Sequence, residues 1–107
     1  MKDGLTFQGG YGELTSEDVK FSYERFNNAT NKDGKKSSYA SDWGALDKVE
    51  VTGKLTGKIH LKRPAPALYR ITLCDISGCI VSQKAFDKLG DKVMTQAIGS
   101  GAYAMAE

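Results

Sequence analysis
The chain has 107 residues, 40% of them hydrophobic, and 15 Lys and Arg against 13 Asp and Glu leave it at +2. That length supports one domain with a modest core. The slight basic excess is scattered except around Lys32, Lys35 and Lys36, unlike the Lys/Arg stripe with interleaved aromatics of a nucleic-acid binder. No apolar run nears the ~20 residues that cross a bilayer, and Met1 is followed by Lys2, Asp3 and Gly4, not by the apolar core of an export signal.

The first strong element is Leu14 to Phe26, LTSEDVKFSYERF. Thr15 can cap a helix by accepting from the amide of Asp18, and Glu17 and Asp18 place negative charge in the first turn. Val19, Ser22, Tyr23 and Phe26 recur at the spacing of one buried face, while Lys20 and Glu24 stand one turn apart and can pair. The pattern predicts an amphipathic helix of about 11 or 12 residues. Asn27 to Ser41, rich in Asn, Lys, Ser and Gly with a turn pair at Asp33-Gly34, reads as an exposed, mobile loop. Trp43 follows and is expected to cap the core at the loop's end.

Asp47 to Arg63 alternates as a β-hairpin, with Val49, Val51, Ile59 and Leu61 on an apolar face and His60 on a charged one. Gly53 to Gly57 is expected to form a five-residue turn. Pro64 and Pro66 end the second strand. Ala67 to Leu73 then reads as a short helix with Leu68, Ile71 and Thr72 inward, and Ile80-Val81 as a brief buried strand. Ser82 caps the next helix, with Val81 and Phe86 placed as a hydrophobic staple, and Gly90 stops it. A further helical turn falls around Asp91 to Thr95. These elements predict a small α+β domain, an antiparallel or mixed sheet built on the hairpin with two main helices packed against it.

Little in the chain points to catalysis. The carboxylates fall at caps, on wet strand faces or in loops, not paired in an apolar cleft, and the only histidine has no metal-ligating companion at suitable spacing. Cys74 and Cys79 lack the second pair of a zinc site and the CxxC of a redox enzyme. Gly99-Ser100-Gly101 lacks the Lys-Ser/Thr of a phosphate loop. The residues therefore predict no enzyme, no metal and no cofactor.

Four stretches, in this order, resemble the family 5 extracellular solute-binding proteins, the periplasmic or lipoprotein receptors of dipeptide, oligopeptide and nickel ABC importers. Lys2-Asp3-Gly4-Leu5-Thr6-Phe7 matches the family's strand, and Thr15, Asp18, Val19, Ser22 and Arg25 match its signature helix. The hairpin run ends in Pro64 much as in the peptide receptors, and Ile98 to Met105, with Gly99, Gly101 and Tyr103, resembles the segment that returns the chain to the main sheet. Three features depart from the pattern: Gln8-Gly9-Gly10-Tyr11-Gly12 replaces an Asp-Gly turn, Ser16 replaces Ala, and Ala102 replaces Pro.

The resemblance implies that residues 1–107 are an excised piece of a longer chain, the second subdomain of the first lobe of a two-lobed α/β receptor. The intact protein would be periplasmic and would deliver a peptide or similar small solute to an inner-membrane ABC permease. The subdomain would mostly brace its lobe, with Asp75, Ser77 and Gly78 as contributors to the cleft rim. Its partners would be the remainder of its own chain and, for the isolated piece, a second copy masking exposed apolar surface. In an exported protein Cys74 and Cys79 suit a disulfide; two buried thiols suit the sequence equally. The competing expectation is a free-standing module that recruits a partner on an exposed strand edge.

Overall fold
The computed structural model describes residues 1–28, 38–90, 92, 95, 96 and 98–103. The architecture is α+β: α1 (Ser16–Asn28), β1 (Leu46–Gly53), β2 (Thr56–Leu61), α2 (Pro66–Arg70) and α3 (Gln83–Leu89), with 3-10 turns at Gln8–Gly10, Thr72–Cys74 and Ile76–Gly78. They form a slab of 40 × 36 × 21 Å.

The start of α1 follows from its acidic first turn, but through a different bond from the one expected. The Asp18 carboxylate accepts from the Thr15 amide at 3.1 Å and from the Thr15 hydroxyl at 3.3 Å. This is the returning half of a capping box. The Asp18 amide is already satisfied by the Thr15 carbonyl at 3.1 Å, so the hydroxyl is free to donate. Along the helix Ser22, Tyr23 and Phe26 are buried, as the periodicity predicts.

That face meets Trp43, which lies in the middle of the core and does not cap it. Its ring is fully buried, stacked on Tyr23 at 4.7 Å and nearly parallel to Phe26 at 5.6 Å. Leu46, Val49 and Leu68 complete the cluster. The buried indole N–H finds no acceptor among the described residues. On the flank of α1, Lys20 and Glu24 pair at 2.9 Å as predicted. Together they satisfy Val49: Lys20 donates to its carbonyl at 2.8 Å and Glu24 accepts from its amide at 2.8 Å. Helix side chains thus supply β1 with the partners that a third strand would otherwise give.

β1 and β2 pair antiparallel, with Val49 opposite Ile59 and Gly53 opposite Thr56. The pairing leaves Lys54-Leu55 as a two-residue turn, not five residues, because Gly57 joins the ladder opposite Val51. Ser16 fastens the turn to α1: its hydroxyl donates to the Gly53 carbonyl and, at 3.0 Å, to that of Lys54. Only the β1 half of the apolar face is covered. Leu46 and Val49 are buried, whereas Ile59 and Leu61 are each 38% exposed on β2. His60 lies on the opposite face and meets Glu50 at 2.7 Å.

Beyond the hairpin the elements are short and the expectations fare less well. α2 ends at Arg70, and the 3-10 turn that follows shifts the helical phase. Ile71, expected inward, is 65% exposed, while Leu68 and Thr72 are buried. Ile80-Val81 forms no strand; the Val81 amide bonds the Ser22 hydroxyl at 2.8 Å instead of a neighbouring backbone. α3 does start and stop as predicted: Ser82 accepts from the Ala85 amide at 3.2 Å, and the Gly90 amide bonds the Phe86 carbonyl. Phe86 stands edge-on to Phe21 at 5.4 Å. The strand expected at Lys2 to Phe7 reduces to one bridge, Thr6 to Glu13. Most of the 27–41 loop, and residues 91, 93 and 94 of the predicted last turn, lie outside the described residues.

Candidate functional site
Three groups of predicted residues can now be placed. The first is the cleft rim, where Asp75, Ser77 and Gly78 occupy one 3-10 turn but do different work. Asp75 caps the turn, its carboxylate accepting from the Ile76 amide at 2.7 Å, and its side chain is exposed. It edges an open cleft of about 540 Å³ with Asp42, Arg63, Leu68 and Thr72. Ser77 is 2% exposed and donates to the Thr72 carbonyl at 3.3 Å. A Cβ on Gly78 would stand 2.2 Å from the Leu73 carbonyl oxygen, so only glycine permits this approach. Ser77 and Gly78 therefore hold the turn shut, and Asp75 alone of the three faces solvent.

The second group, the signature helix, works as a brace. Asp18 and Ser22 are buried and reach across to the segment that opens α3. The Asp18 carboxylate accepts from the Gln83 amide at 3.0 Å, 65 residues away. Ser22 accepts from Val81 and donates to the Asp18 carbonyl at 2.6 Å. One carboxylate thus serves the N-terminal amides of two helices, where negative charge is favoured. Val19 packs partly buried against the core. Arg25 donates from Nε to the Ser22 carbonyl at 3.2 Å and lies over the Phe26 ring at 4.8 Å. Burial lowers its pKa. Tyr23 donates to the Gly78 carbonyl at 3.3 Å, and burial raises its pKa.

The third group is the outgoing stretch. The carbonyls of Gly99, Gly101 and Tyr103 all accept from Gln8, a residue the sequence marked only as a departure from the family pattern. The Tyr103 ring itself is 93% exposed. Beside this stretch runs an apolar groove of about 690 Å³, lined by Leu5, Leu14, Ile80, Val81, Ala85 and Ile98 among others. Cys74 and Cys79 are both free and both exposed, an arrangement that neither the disulfide nor the buried-thiol reading named.

Ser16, Lys20, Glu24 and Gln8 were not singled out as site residues, although each makes a polar contact with a distant part of the chain. The available signals were the one-turn spacing of Lys20 and Glu24 and two departures from the family pattern, at Gln8 and at Ser16. Among the described residues, no three His, Cys, Asp or Glu side chains come together as metal ligands, and no helix is long and apolar enough to cross a membrane.

Comparison with known proteins agrees with this arrangement. The family model for bacterial extracellular solute-binding proteins, family 5, matches residues 1–107. A solved structure of the solute-binding protein MoaA from A. tumefaciens R10, in complex with mannopinic acid, superposes with a TM-score of 0.83 at 29% identity. The match takes in 100% of this chain and 21% of that one. No curated protein sequence matches the chain.

Proposed function
The chain belongs to the bacterial extracellular solute-binding proteins of family 5, and from that premise we propose that it braces the first lobe of a periplasmic receptor. The observation that carries this reading is that the whole chain corresponds to about a fifth of a solute-binding protein's length. In the intact receptor two lobes close over a peptide or similar small solute, because the ligand binds the closed state more tightly. The closed form then engages an inner-membrane ABC permease. This piece contributes Asp75 at most to the rim of the cleft and performs no catalysis. Its main partner is the remainder of its own polypeptide, seated along the apolar groove beside Leu14, Ile80 and Ile98.

Isothermal titration of the longer receptor and of residues 1–107 separately, with di- and tripeptides and with mannopinic acid as probes, tests the assignment. The longer protein should bind at least one probe and the isolated chain none. Binding by the isolated chain with equal affinity, or by neither protein, would overturn it. A second reading rests on β2, whose outer edge no strand covers among the described residues and whose Ile59 and Leu61 are exposed. An added strand from a protein partner would pair there. Concentration-dependent dimerisation abolished by Ile59→Lys would favour that reading.

A further inference from the structure
The stretch from Ile98 to Tyr103 forms no helix or strand, and among the described residues every hydrogen bond that reaches it comes from Gln8. The Gln8 amide donates to the Gly99 carbonyl at 2.9 Å. Its side-chain nitrogen donates to the Gly101 carbonyl at 3.1 Å and to the Tyr103 carbonyl at 2.6 Å. Both side-chain partners are carbonyl oxygens, so the NH₂ group must face them, and it uses both of its hydrogens.

The three acceptors are alternate residues, and the chain bends through Ser100, Gly101 and Ala102, which brings all three carbonyls within reach of one residue. One glutamine therefore holds this bent stretch at three carbonyls. Ala102 lies between the two carbonyls held by the side chain and carries no ring to fix its φ, so its order rests on the bonds that straddle it. Gln8 is itself held firmly. Phe7 before it is 4% exposed and its amide bonds the Gly12 carbonyl at 2.8 Å. The turn that closes this loop needs left-handed backbone at Gly9 and Gly10, with φ of 72° and 76°.

We infer that Gln8 is a positioning residue: it clasps the outgoing stretch of the chain to the incoming one and so sets one wall of the apolar groove. Ile98, Gly99 and Ser100 line that groove together with Leu14, Ile80 and Val81. What the groove receives rests on the function proposed above. The clasp does not, and it can be tested on the 107-residue chain without any solute.

Two near-isosteric variants separate the bond from the shape. Gln8→Met keeps the length and removes both donors; Gln8→Glu presents oxygens to oxygens. Cleavage by chymotrypsin after Tyr103, and backbone {¹H}-¹⁵N NOE values over residues 99–103, report the release. Each variant should speed cleavage about tenfold or more through local opening and lower the NOE values of that stretch. The NOE values of α1 and β1 should stay at the wild-type level, which distinguishes release from general unfolding. Unchanged cleavage and unchanged NOE values in both variants would overturn the inference, as would a loss spread evenly over the whole chain. Failure of the solute titrations with an intact clasp would strike only the receptor assignment.

Discussion
The half of the molecule built on α1 and β1 buries its large side chains, and the flank built on α2 and α3 shows many of its own. Trp43, Leu46 and Val49 are between 0% and 2% exposed, whereas Tyr69 is 78%, Ile71 65% and Ile76 71% exposed. In the first half α1 is 13 residues long and covers one face and the edge of β1. In the second, helices of 5 and 7 residues alternate with 3-10 turns. Such pieces are too short to hold themselves by intrahelical bonds. They are held from outside, by Asp18, Ser22 and Tyr23 reaching across from α1. The lesson is one of direction: stability flows from the α1–β1 core to the flank, and the flank ends in an open groove.

The largest expected effect breaks the core end of that comparison. Trp43→Ala removes the ring on which Tyr23 and Phe26 stack and should cost about 3–5 kcal/mol by chemical denaturation. Trp43→Phe should cost clearly less, because it also removes the indole N–H that has no acceptor among the described residues. Next comes the link between the halves. Ser22→Ala leaves the Val81 amide without its partner and should lower stability by about 1–3 kcal/mol. Hydrogen exchange should locate the loss at residues 81–85 before it reaches β1.

These two sites also mark how far the sequence could be read. α1, its buried face, the Lys20–Glu24 pair, the hairpin and the Ser82 cap were legible because each depends on residues within one element or one turn. The turn at Lys54-Leu55 was not, since glycine at 53 and 57 suits either loop length and Ser16, far along the chain, favours the shorter one. The phase of Ile71 was lost in the same way, to a 3-10 turn fixed by the approach of Gly78 to Leu73. Within the candidate rim Asp75 is exposed, but nothing local foretold that Ser77 would turn inward to Thr72. Gln8 looked like a missing family residue until the carbonyls it holds were in view.

A smaller effect sharpens the comparison at the edge of β1. Burial by itself raises the Glu24 pKa, but the Lys20 hydrogen bond, the Val49 amide and the Lys20 charge together lower it below the ordinary glutamate value. A carboxylate depressed in the folded state contributes stability above its unfolded pKa and loses it as pH falls through the folded one. Denaturant midpoints should therefore fall on acidification below about pH 4.3, the ordinary glutamate pKa, and Glu24→Gln should flatten that part of the profile. The effect is modest because the pair is partly exposed. Smallest of all, Tyr69→Ser and Ile71→Ser should each change the stability of the isolated chain by no more than about 0.5 kcal/mol. Side chains so exposed contribute little until something covers them.

Hydrogen exchange measured on residues 1–107 alone and again within the proposed longer receptor tests the central claim most directly. The account predicts that amides of α1 and β1 are protected to a similar extent in both. Those of residues 79–89 and 98–103, along the groove, should be weakly protected alone and slow by about tenfold or more in the longer chain. Equal protection of the groove in the two proteins would contradict the account, since the flank would then be complete without the rest of the polypeptide.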